Sequence, residues 1–133
     1  MRIADANLVL RYLLEDLPEQ FTISRNALEH DAIHIPFEVL AEVVYVLHGV
    51  YEVPNHDIAE TLGSLLSYPN LSTTDQRVAL SALQFFGQSN LDIVDALLLG
   101  RAVVRRDEVL TFDQKLSKMI ASQESDTTGA TGA

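Results

Sequence analysis

Short apolar segments that can only be strands alternate with long helical runs, and this alternation constrains the fold more than any other feature. Arg2 to Asp5, Ala32-Ile33-His34-Ile35, Leu71-Ser72-Thr73-Thr74 and Val109-Leu110-Thr111 are the strand candidates. Between them lie stretches with helical spacing, such as Leu10, Leu13, Leu14 and Leu17, or Ile58, Leu62, Leu65 and Leu66. Strands separated by helices cannot form hairpins, so they pair in parallel. The expectation is an α/β domain, a three-layer α/β/α arrangement with a mainly parallel sheet. In such sheets ligands bind beyond the carboxyl ends of the strands.

The helical run from Phe37 to about Val50 sharpens the picture. Phe37, Leu40, Val43, Val44, Leu47 and Val50 form one apolar stripe, widened by Val39 and Val46. Such a helix is expected to be mostly buried. Glu42 sits in its middle, where a lone carboxylate needs an ion-pair partner or a cation. The run from Leu91 to Val104 raises the same question, because Asp92 and Asp95 are neighbours on one face of an apolar helix. Asp92 reads as an N-terminal cap or first-turn acid, whereas Asp95 lies deeper. Asp5 and Asp113 both stand just past a strand, where an acid serves either as a helix cap or as a site residue.

Asp5, Glu42, Asp95 and Asp113 therefore form a candidate constellation. If they converge, their mutual repulsion calls for compensation, and oxygen-only ligands point to Mg²⁺ or Mn²⁺. One or two such ions suit phosphodiester cleavage. Scattered caps and ion pairs remain the competing explanation. His30, His34, His48 and His56 show no metal-ligand spacing, and no Gly-rich phosphate loop is present.

Charge and composition narrow the classes. Nine basic residues face 19 acidic ones, a net of −10, which excludes a broad basic surface for nucleic acid. Arg101, Arg105, Arg106, Lys115 and Lys118 are the one basic concentration, read either as contacts to a phosphate backbone or as solvated helix faces. Cysteine is absent, and neither a signal-peptide pattern nor a membrane-length apolar run is seen; a soluble, cytoplasmic protein is expected. From Ser122 onward the apolar periodicity stops, so residues 122–133 are expected to be a disordered tail after one domain at 1–121.

Ile3-Ala4-Asp5-Ala6-Asn7-Leu8-Val9-Leu10-Arg11-Tyr12-Leu13-Leu14 resembles the opening of PIN-domain proteins, particularly VapC-like toxins of toxin–antitoxin pairs. Leu-Ala-Glu-Val-Val-Tyr-Val-Leu at 40–47 is similar to their second motif, Leu91 to Leu97 to the third, and Leu110 to Leu116 to the fourth. The resemblance implies a sheet of four or five strands and a metal-dependent endoribonuclease. It assigns Asp5, Glu42, Asp95 and Asp113 as catalytic metal ligands, with Asp92 as an alternative. Asn7 and Thr111 are expected to support the site, and from the basic concentration Arg101, Arg105 and Lys115 are the expected contacts to the RNA backbone. Mg²⁺ or Mn²⁺ as cofactor, an RNA substrate, a homodimer and a cognate antitoxin with a basic segment entering the acidic site complete the expectation. Ala6 departs from the usual Thr or Ser of the family. The competing classes are a catalytically silent PIN-like protein- or metal-binding module and an acidic-pocket receiver domain, against which the Ala4-Asp5-Ala6 context argues.

Overall fold

The structure is a computed structural model describing residues 1–132, with side-chain surroundings through residue 125. Three strands of two residues each, β1 (Arg2–Ile3), β2 (Ile33–His34) and β3 (Leu71–Ser72), form a parallel sheet in the order β1-β2-β3. Arg2 pairs with Ile33 and Ile33 with Leu71; Ile3 pairs with His34 and His34 with Ser72. Helices α1 (Ala6–Leu14) and α2 (Pro18–His30) connect β1 to β2, and α3 (Phe37–Gly49) with α4 (Asn55–Leu66) connect β2 to β3. α5 (Gln76–Gln88), α6 (Ile93–Arg105) and α7 (Gln114–Gly132) follow. The domain is mostly helical, with one small three-stranded sheet among the described residues.

Local chemistry explains most boundaries. Asp5 caps α1 by accepting from the Leu8 N–H at 2.9 Å, and Asp75 caps α5 by accepting from Val78 at 3.1 Å. The first helix ends at Glu15, which adopts the left-handed conformation (φ 53°), three residues before Pro18, the residue that closes its apolar run in the sequence. Pro18 instead opens α2, where its missing N–H costs nothing. α3 has no cap from its own side chains. The Phe37 N–H donates at 3.1 Å to the Thr74 hydroxyl, just beyond β3. Val9, Leu28, Ile35, Val43, Ile58, Leu62 and Leu99 are wholly enclosed in the core, each contributing roughly 1.5–3 kcal/mol through burial.

Two expectations need correction. Val109-Leu110-Thr111 pairs with no strand, so the described sheet has three strands rather than four or five. Half-buried Val109 packs on the core, but Leu110 and Phe112 both point into solvent, at 88% and 104% exposure. Burial alternates along it, with Val109 and Thr111 half-buried, but its backbone meets no strand of the described sheet. Second, α3 is not enclosed on all sides: Leu40, Ala41, Val43, Val44 and Leu47 are buried, while Glu38, Glu42 and Tyr45 are exposed. α7 continues past residue 121, where the sequence suggested a disordered tail; the side chains from 126 and residue 133 lie outside the described residues. No helix is long and apolar enough to cross a membrane among the described residues.

Candidate active site

All three strands point the same way, so the ends of β1, β2 and β3 open onto one edge of the sheet. Asp5 leaves β1 there, and Pro36 turns β2 into α3, the helix that carries Glu42. Asp5 is exposed and has an oxygen engaged in capping α1. Asn7 and Arg11 line a shallow cavity of about 220 Å³ together with it. Arg11 is held by Asp16 at 2.9 Å, and its Nε is buried without a partner. Glu42 is exposed and joins no ion pair or side-chain hydrogen bond among the described residues. The burial that was expected to force a partner on Glu42 is absent, because α3 leaves that face open.

The other acids come together around the start of α6. Asp92 caps this helix, accepting from the Val94 N–H at 2.9 Å. The Tyr45 hydroxyl reaches across from α3 and donates to both Asp92 oxygens, at 3.0 and 3.2 Å. Asp95, half-buried in the first turn, binds its proton more tightly than an ordinary carboxylate. Burial is the main cause, followed by the negative charges of Asp92 and then Asp113. The same surroundings push the Tyr45 phenol up: burial first, then the hydrogen bond to Asp92 and the charges of Asp92 and Asp95. Asp113 caps α7 through the Leu116 N–H at 2.9 Å, while its own N–H donates to the Thr111 hydroxyl at 3.0 Å. Thr111 thus fixes the turn that presents Asp113.

Asp92, Asp95, Asp113 and Tyr45 therefore share one electrostatic neighbourhood: Asp92 and Asp113 act on Asp95, and Asp92 and Asp95 on Tyr45. Among the described residues no three His, Asp or Glu side chains are gathered closely enough to hold one metal ion. Helix capping turns Asp5, Asp92 and Asp113 toward backbone N–H groups, which accounts for part of that spacing. The donor chemistry nonetheless suits a hard divalent cation, since every candidate is a carboxylate. Two members of the basic group are committed elsewhere: Arg101 pairs with Asp107 at 2.9 Å and Arg105 with Asp75 at 2.6 Å. Lys115 is exposed.

The family model of the PIN domain matches residues 3–121, a span that holds every one of these acids. The chain is a PIN-domain protein. No curated protein and no solved structure gives a significant match. PIN-domain membership supports a nuclease-type fold, and it places the strand-end acid Asp5 and the acids at the starts of α6 and α7 in a single domain. Tyr45 was the residue that sequence reasoning missed. Its signal was its position three residues after Glu42, which puts a hydroxyl on the same face of α3 as that acid.

Proposed function

We propose that this PIN domain is a metal-dependent endoribonuclease acting as the toxin of a VapC-like toxin–antitoxin pair, in the cytoplasm and as a homodimer. Family membership over a span containing Asp5, Glu42, Asp95 and Asp113 carries the reading. In it, those four acids hold Mg²⁺ or Mn²⁺, with Asp92 as an alternative ligand. A bound divalent ion supplies an activated water and positive charge at the scissile phosphate. The chain's own part is to hold carboxylates together despite their repulsion. Tyr45 fixes Asp92, Thr111 fixes the turn at Asp113, and Asn7 stands beside Asp5. Lys115, Arg101 and Arg105 contact the RNA backbone, the arginines on release from their ion pairs. An antitoxin inserts a basic side chain into the acidic site.

One observation favours a second reading, a catalytically silent protein- or metal-binding module: three of the acids already serve as helix caps. The same experiment separates the two. A panel of structured RNAs is incubated with Mn²⁺ or with EDTA, using wild type and Asp5→Asn. Asn caps a helix as well as Asp does, so the melting temperature should hold while cleavage disappears. Intact RNA with the wild type, or undiminished cleavage by the variant, would overturn the nuclease assignment.

A further inference from the structure

Helices α4 and α5 lie side by side in opposite directions, with a groove of about 330 Å³ between them. Two contacts fix their relation. A Cβ on Gly87, near the end of α5, would stand 2.8 Å from that of Ala59, near the start of α4. At the other end, Gln76 Nε2 donates at 3.0 Å to the Leu66 carbonyl. The exposed Leu80 rises on the α5 wall of the groove, and open space stands over Gly63 on the α4 wall. We propose that this face pairs with the same face of a second copy of the chain, across a two-fold axis at the middle of the groove. The inference rests on the homodimer of the functional reading, to which it assigns a surface, and is independent of the nuclease chemistry.

The face is complementary to itself. Arg77, Leu80 and Gln84 share one stripe of α5, and Glu60 and Gly63 share the facing stripe of α4. With Gly87 set against Ala59, the helical rise puts Glu60 about level with Gln84 and about 11 Å along the groove from Arg77. Gly63 and Leu80 stand midway between the two charges. The groove is therefore basic at one end of one wall and acidic at the other end of the opposite wall. A two-fold axis through its middle exchanges both ends and walls. It sets Arg77 of one protomer against the partner's Glu60, twice over, and lowers each Leu80 into the space above the opposing Gly63. Neither charge is committed: Arg77 joins no ion pair among the described residues, and Glu60 meets only His56, at 3.7 Å with both side chains exposed. A copy of this chain supplies the charge and the apolar knob together, each at the height the groove needs. One exposed leucine per protomer makes a small interface, so the dimer is expected to be weak and concentration-dependent.

Sedimentation velocity of the full chain over a concentration series tests the proposal, with circular dichroism to show that each variant is folded. Wild type should dimerise, and Leu80→Ala should dissociate several-fold more readily. Arg77→Glu and Glu60→Arg each oppose like charges, and each should weaken the dimer about tenfold. Arg77 lies in the first turn of α5, where an acid suits the helix dipole, so the fold tolerates its reversal. An equimolar mixture of the two reversed variants should restore dimerisation, because only the mixed pair brings opposite charges together at both contacts. Gly63→Ala should melt higher as a dilute monomer yet pair more weakly, since its methyl group takes the space that Leu80 enters. Folded variants that dimerise as wild type does, or reversals that the mixture does not rescue, reject this face and leave the homodimer standing. A wild type that stays monomeric at its highest soluble concentration rejects the face and the homodimer together, and leaves the nuclease assignment standing.

Discussion

Two glycines in helices of the same fold should respond in opposite directions to the same substitution. Gly63 in α4 has open space where a Cβ would go, with nothing within 4 Å. Gly100 in α6 does not: a Cβ there would stand 2.9 Å from the Val78 carbonyl oxygen and 3.3 Å from Val78 Cγ1, both on α5. Neither glycine has positive φ, so alanine suits the backbone at both positions. At Gly63 only the helix-propensity gain operates, and Gly63→Ala should stabilise by roughly 0.5–1 kcal/mol. At Gly100 the same gain meets overpacking against a backbone carbonyl that cannot rotate away, which costs about 1–3 kcal/mol. The net expectation is a loss of about 1–2 kcal/mol, or a fall of roughly 3–8 °C in Tm for a domain of this size. Thermal melts followed by circular dichroism at pH 7, with denaturant midpoints as a check, measure both variants. Equal stabilisation by the two alanines would refute the close α5–α6 approach, and with it the placement of the helix that carries Asp92 and Asp95.

Asp95→Asn should raise the melting temperature of the metal-free protein at pH 7. The folded-state pKa of Asp95 is raised by burial and by Asp92 and Asp113, so ionisation at neutral pH opposes folding; that penalty, and the variant's advantage, should vanish as pH falls below the ordinary carboxylate range. A constant advantage down to pH 3 contradicts this cause. For Asp75 the sign is reversed: the hydrogen bond from Arg105 lowers its pKa against an opposing effect of burial. Its stabilisation is present at neutral pH and is lost as pH falls through the lowered folded value, so Arg105→Gln should be less stable than wild type at pH 7 and converge with it in acid. Pairing of both side chains near solvent makes the neutral-pH gap shrink with added salt as well. Finally, an arginine-bearing inhibitor peptide should bind more weakly, by calorimetry, as Mn²⁺ rises and when Glu42 is changed to Gln; indifference to both means inhibition does not act through the acids.

The strands at 2–3, 33–34 and 71–72 were legible because each lies in a short run trapped between helix signals and too short to be a helix itself. Val109 to Thr111 carried the same local signal yet does not pair. Composition alone cannot report whether an edge partner stands in register. The candidate site divides the same way. Asp92 and Asp95 were readable as neighbours because helix periodicity is local. The exposure of Glu42 was not, because it depends on which neighbours cover α3, and nothing within residues 37–50 records that. Tyr45's bond to Asp92 spans 47 positions of chain and follows from how α3 and α6 pack.

The bond from Phe37 to Thr74 has a consequence for the order of assembly. α3 borrows its first-turn acceptor from a segment 37 residues later, so during synthesis that donor has no partner in the chain until β3 has emerged and docked. The start of the helix bearing Glu42 is thus the last part of α3 to be secured, although it is the first part made. Protection of the Phe37 amide against hydrogen exchange should therefore follow the opening of β3 rather than the melting of α3.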